Sequence, residues 1–197
     1  AQRVGIDKYY KYIASFGFTE KTGIMLSGEA TSVIHQNPSE IDMAVASFGQ
    51  RLQITPIQLA TAYCAIANGG KLYTPRVVKE ITDNDGNVIE KYETELVRQV
   101  IAESTSAQLL QMLEDTVVSG GGSRAYVSGY RVAGKTGTSE TVDTNETERY
   151  VCSFAGIAPA DDPEVIILVV IDHPTIGGAS GGLQAASVAG NLFSSIL

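Results

Sequence analysis

Apolar positions along this chain fall into segments of helical or strand spacing, and the order of those segments carries the first information. Tyr9, Tyr12, Ile13 and Phe16 lie on one helical face between Asp7, a candidate N-cap, and Gly17. This predicts a short helix whose tyrosine-rich face packs into the core. Residues 19 to 37 lack a period and read as loop, punctuated by Gly23, Gly28 and Asn37-Pro38. His35 lies there with no second histidine nearby and reads as a surface residue. Pro38 to Phe48 reads as a short helix ending at Gly49. Thr55-Pro56-Ile57-Gln58 combines a capping box with proline at the first helical position. The helix it opens runs through Leu59, Ala62, Tyr63 and Ile66 to Asn68-Gly69-Gly70, and its alanines predict close packing.

Thr74 to Tyr92 has the pattern of a β-hairpin, with Val77, Val78 and Ile81 on one arm and Val88, Ile89 and Tyr92 on the other. Asp83-Asn-Asp-Gly86-Asn supplies its tip. A third long helix is predicted from Ser104 to Val118, with Leu110, Leu113 and Val117 inward, before the Gly120-Gly-Gly-Ser loop. Three strands follow: Tyr130 to Ser139, Tyr150 to Ala158 and Val165 to Asp172. The Asp161-Asp162-Pro163 turn makes the last two antiparallel. A glycine loop from Gly177 to Gly182 and a C-terminal helix complete an α+β order, unlike the regular alternation of a doubly wound sheet.

Composition narrows the function classes. The 197 residues suit one domain, and 44% hydrophobic with 18% charged residues is an ordinary globular balance. Fourteen Lys and Arg against 22 Asp and Glu give a net charge of −8, which argues against nonspecific binding to nucleic acid or to anionic lipid. Cys64 and Cys152 form no C-x-x-C pair and sit in helical and strand patterns, where buried thiols are common. The most apolar run, Val165 to Ile171, is too short to span a bilayer. The N-terminus, Ala1-Gln-Arg-Val-Gly, reads as a cut within a domain.

The candidate chemistry concentrates in Gly129-Tyr-Arg-Val-Ala-Gly134-Lys135-Thr136-Gly137-Thr138-Ser139. Gly129 to Thr136 satisfies the phosphate-loop pattern G-x-x-x-x-G-K-[ST], and Val165 to Asp172 imitates the apolar run ending in a metal-binding Asp. A phosphate loop must open a helix. The sequence after Thr136 has an early glycine, β-branched residues and no apolar stripe, and Gly-Ser linker precedes the motif where a strand belongs. Gly178-Ala-Ser180-Gly-Gly182 fits the G-x-S-x-G elbow, yet no Asp, Glu or His follows Ser180 to complete a triad. A flexible loop is the better reading there. Lys135-Thr136-Gly137 also matches the K-T-G element of serine acyl transferases, which requires a strand facing a cleft. A lysine gives fixed positive charge beside a nucleophile and a carboxylate, and glycine admits close backbone approach.

Beyond these three residues, Ser47-Phe-Gly-Gln50, Thr55-Pro-Ile-Gln-Leu-Ala60, Ala67-Asn-Gly-Gly70, Val132-Ala-Gly-Lys-Thr-Gly-Thr138 and Phe154-Ala-Gly-Ile-Ala-Pro159 occur in this order. With this set the chain resembles the C-terminal part of the transpeptidase domain of class B penicillin-binding proteins, of the Gram-positive division or sporulation type. The resemblance implies a partial transpeptidase fold and a D,D-transpeptidase that cross-links peptidoglycan through a serine acyl-enzyme. It also implies that stem peptides ending in D-Ala-D-Ala and β-lactams are ligands. Lys135 would then assist proton transfer and bind the substrate carboxylate, which Thr136 and Thr138 would hold by their hydroxyls. The Thr138 N–H would be an oxyanion donor, and Gly137 would keep the strand accessible. No cofactor or metal is implied. The expected partners are other cell-wall synthesis or division proteins, and the expected location is the extracytoplasmic face of the bacterial membrane, anchored by an N-terminal segment.

The family also uses S-x-x-K, carrying the nucleophile, and S-x-N, carrying a relay serine. No serine of this chain fits either pattern. The expectation is therefore one partial domain over residues 1–197, with both motifs upstream and this part inactive alone. The family's last strand pairs with its first, so the Val165–Ile171 edge is expected to associate with the missing half or a second copy. A non-catalytic peptide- or partner-binding relative is the alternative.

Overall fold

The capping box at Thr55 forms as its residue types require. The Thr55 hydroxyl accepts from the Gln58 N–H at 3.3 Å, and Gln58 Oε1 accepts from the Thr55 N–H at 2.9 Å. In this computed structural model, which describes residues 1–141, 149–175, 178 and 180–197, the box opens helix α3, Pro56–Ala67. Ala62 and Ala65 are buried, as the alanine content predicts. The turn that follows the helix closes at Gly70, with φ 85°, where a Cβ would stand 2.0 Å from the Ile101 carbonyl oxygen. No other residue fits there.

Upstream lie α1 (Ile6–Ser15) and α2 (Glu40–Ala46), the latter capped by Ser39. Two expectations for α1 fail. Its N-cap is Gly5, with Asp7 inside the first turn, and none of its residues is buried. The Tyr9 and Tyr10 rings instead meet edge to face at 5.4 Å. His35 is exposed, as read from the sequence.

The predicted hairpin is present as β2 (Glu80–Thr82) and β3 (Val88–Lys91), and all seven of these residues are exposed. Its tip is organised by Asp83 Oδ1, which accepts from the Asp85 and Asn87 N–H groups at 3.0 and 2.8 Å. Val77 and Val78 lie outside the strands. The hairpin is flanked by a pair the sequence reading missed, β1 (Lys71–Tyr73) with β4 (Leu96–Gln99). Strands of three and four residues are too short to show a period.

Helix α4 (Glu103–Val118) and a 3₁₀ turn (Ser123–Ala125) lead into the central sheet of β5 (Ala133–Thr141), β6 (Arg149–Ala158) and β7 (Val165–Asp172). All pairings are antiparallel in the order β5-β6-β7, and α5 (Ala185–Ile196) closes the chain. The fold is the predicted α+β arrangement. β5 starts three residues later than expected, because Gly129 (φ 86°) and the Tyr130 N–H bonded to the Val127 carbonyl form a turn there. One face of the sheet packs Val132, Phe154 and Ile167 against Ala185, Ala189 and Phe193 of α5. The opposite face packs Ala133, Ile157 and Ile166 against Tyr63 and Ile66 of α3 and Leu110 of α4. Cys152 is buried in β6 and Cys64 half-buried in α3. Among the described residues, no helix is long and apolar enough to cross a membrane.

Candidate active site

β5 is an edge strand, and its alternation decides what each site residue can do. Thr136 pairs with Phe154 and Thr138 with Cys152, while Lys135 pairs with Ala155 and Gly137 with Ser153. Cross-strand partners share a face. The two threonines therefore lie on the α5 side of the sheet, and Lys135 and Gly137 on the α3 side.

The main chain alternates as well. The Gly134 and Thr136 carbonyls both accept from outside the β5–β6 ladder, so the odd-numbered residues of β5 turn their peptide groups toward β6. Gly134, Thr136 and Thr138 turn theirs to the outside. At Gly134 that outside is covered by α4, where the Thr116 hydroxyl donates to the Gly134 carbonyl. Two residues on, the Thr136 carbonyl accepts from Lys135 Nζ at 2.8 Å. The lysine side chain thus bends back from its own face to the strand edge. Thr138 is exposed, and its N–H points to the open edge. The Lys135 ammonium and the outward peptide groups of Thr136 and Thr138, separated by the pleat, share a stretch of edge beyond the cover at Gly134.

Charge is distributed to match. Arg131, just before the strand, is fully engaged: it donates to both oxygens of Glu114 at 2.8 and 2.6 Å and lies 3.2 Å from Asp161. Its hydrogen bond to Glu114 holds that carboxyl below the usual carboxylate range. Exposed Lys135 has no carboxylate partner among the described residues. Its ammonium is held at the edge by the Thr136 carbonyl.

Gly137 leaves room for its neighbour. A Cβ there would stand 2.5 Å from Ser153 Oγ, so the serine hydroxyl occupies the space over the glycine. The P-loop reading fails on geometry, since Lys135 and Thr136 are mid-strand and open no helix. The Gly177–Gly182 segment lies partly outside the described residues. Its described part is seated on the sheet: the Gly181 N–H donates to Thr138 Oγ1 at 3.0 Å. Sequence reasoning passed over Thr116, Ser153 and Gly181. Only Gly181-Gly182 ahead of an alanine-rich helix carried a signal, that of a backbone packed too closely for side chains. A cavity of about 350 Å³ elsewhere, lined by Phe16, Lys21, Gln58, Thr74 and Arg98 among others, includes no residue of β5.

The model of the penicillin-binding protein transpeptidase domain matches residues 1–194. The chain belongs to that family. Within it, the chain is 41% identical over 196 residues to stage V sporulation protein D of Bacillus subtilis, covering 97% of this chain and 30% of that protein. It is 35% identical over 187 residues to the peptidoglycan D,D-transpeptidase FtsI of Escherichia coli K12, covering 92% and 30%. The crystal structure of penicillin-binding protein 3 from Mycobacterium tuberculosis complexed with aztreonam superposes with a TM-score of 0.86. It is 31% identical and is covered over 99% of this chain and 47% of that one. The chain thus spans about a third or less of the length of these curated relatives.

Proposed function

We propose that residues 1–197 are the C-terminal part of one transpeptidase domain and supply the substrate-lining edge of a peptidoglycan D,D-transpeptidase. The observation that carries this reading is the open edge of β5, where the Lys135 ammonium turns to the Thr136 carbonyl beside the outward N–H of Thr138, next to the face that carries the two threonines. Family membership and a relative's complex with aztreonam support it. No serine of residues 1–197 fits S-x-x-K or S-x-N, so in this reading the nucleophile is not among these residues.

In the acylation step the upstream serine oxygen attacks the carbonyl of the penultimate D-alanine. The peptide bond to the terminal D-alanine breaks, and that D-alanine leaves as the amine, taking up the proton the serine gave. An amine of a second stem then attacks the ester, forming the cross-link and freeing the serine. Lys135 binds the terminal carboxylate with the Thr136 and Thr138 hydroxyls and eases proton transfer by its fixed charge. The Thr138 N–H stabilises the oxyanion, a preorganised donor in the right place for developing charge. In a β-lactam the leaving amine stays tethered to the acyl group, so the ester persists. The working site faces the extracytoplasmic side of the membrane, tethered by a segment outside this sequence, among proteins of division or cell-wall synthesis.

Fluorescent penicillin tests this directly. The full-length protein should label covalently and residues 1–197 should not. A full-length protein that stays unlabelled ends the enzyme reading in favour of a non-catalytic binder.

A further inference from the structure

Two consecutive residues ahead of α5 anchor to one cross-strand pair of the sheet. Gly181 donates its N–H to Thr138 Oγ1 at 3.0 Å, and the adjacent Ser180 makes a backbone hydrogen bond to the buried Cys152 thiol. Thr138 and Cys152 are register partners on β5 and β6. The seat has no spare room. A Cβ on Gly181 would stand 2.3 Å from the Gly137 carbonyl oxygen and 2.7 Å from that of Ser153. Gly182 is equally close to the loop before the 3₁₀ turn, since a Cβ there would lie 2.5 Å from the Gly121 carbonyl oxygen. These are contacts with main-chain atoms, which cannot rotate aside as a side chain can.

The chemistry of a hydroxyl gives this contact a consequence. A threonine oxygen can accept a hydrogen bond and donate one. Gly181 occupies the acceptor side of Thr138, so the hydroxyl hydrogen is left for an acceptor at the edge. There the Lys135 ammonium already attracts an anion. We propose that Gly181 is a positioning residue of the carboxylate site: its N–H fixes Thr138 as a hydrogen-bond donor toward the substrate carboxylate. This rests on the transpeptidase reading and deepens it by one residue, on a loop that the sequence alone marks as flexible. Ser180 and Cys152 hold the same loop in register one residue earlier.

The test compares acylation rate constants of the full-length protein with benzylpenicillin and with its carboxylate methyl ester. Gly181→Ala should slow the free acid about tenfold, the scale of one hydrogen bond to a charged group. It should leave the rate with the ester nearly unchanged. Combined with Thr138→Val, it should add nothing to the loss that Thr138→Val causes alone. Equal slowing of acid and ester, or an additive double variant, overturns the proposal. Should Gly181→Ala fail to fold, Cys152→Ala loosens the same loop without a collision and should give a smaller loss confined to the free acid. Equal losses for both ligands there count against the proposal as well. Failure of the unsubstituted protein to acylate is a different result, and it removes the transpeptidase reading itself.

Discussion

The two edges of the central sheet solve opposite problems. β5 carries glycines, threonines and a lysine, and its outward peptide groups are covered at Gly134 and open from Thr136 onward. β7 is Val-Ile-Ile-Leu-Val-Val-Ile-Asp, its faces packed by α5 on one side and α3 on the other. Among the described residues nothing pairs with its outer edge. An apolar edge of this length is an association hazard. The contrast teaches that the polar edge is built to meet a ligand that comes and goes, and the apolar one to meet a permanent neighbour.

The sharpest way to break this contrast is at Lys135. In the full-length protein, Lys135→Ala should cut penicillin acylation on the order of a hundredfold, the cost of losing one preorganised electrostatic group. The melting temperature should hardly move, because among the described residues the exposed ammonium bonds only the neighbouring carbonyl. Undiminished acylation would remove the lysine from the site. At the other edge, residues 1–197 prepared alone should sediment as more than a monomer. Val170→Lys, at a position 42% exposed on β7, should return them to monomer at a stability cost below about 1 kcal/mol. A stable monomer without the substitution would show that the β7 edge needs no partner.

The smallest effect concerns the clamp at the start of β5. Arg131, by hydrogen bond and charge, holds the Glu114 carboxyl below its ordinary value of 4.5. A depressed carboxyl stabilises the folded state above that value, and the contribution drains away as the pH falls below it. Glu114→Gln should therefore lower the melting temperature at neutral pH and converge with the parent protein in acid. The half-exposed guanidinium keeps the difference under about 1 kcal/mol. A gap that persists at low pH would point to packing rather than charge.

Long periodic segments were legible in the sequence. α3 was visible through its capping box and α4 through apolar spacing, and the last strand through its apolar run after the Asp161-Asp162-Pro163 turn. The short β1–β4 pair was invisible because its register depends on tertiary contact rather than on local pattern. At the site, the sequence named Lys135, Thr136, Gly137 and Thr138 but treated them as one cluster. The pleat divides them between two faces, and only the bent lysine side chain and the strand edge reunite them. Gly181 was hidden for a related reason: its partner Thr138 is 43 residues away, and a glycine that donates its N–H looks like any loop glycine.

The outward peptide groups of Gly134, Thr136 and Thr138 bear on how such a site can change over generations. A point substitution to any residue but proline replaces a side chain and leaves the amide in place, and proline would break the strand it enters. A variant chain therefore cannot delete these donors and acceptors one codon at a time and keep the strand. It can only shift the strand that carries them, and the positions that set the strand are Thr116 beneath Gly134 and Gly181 above Thr138. Altered ligand selectivity on this edge should therefore accumulate in the supports of β5 before it accumulates in β5 itself.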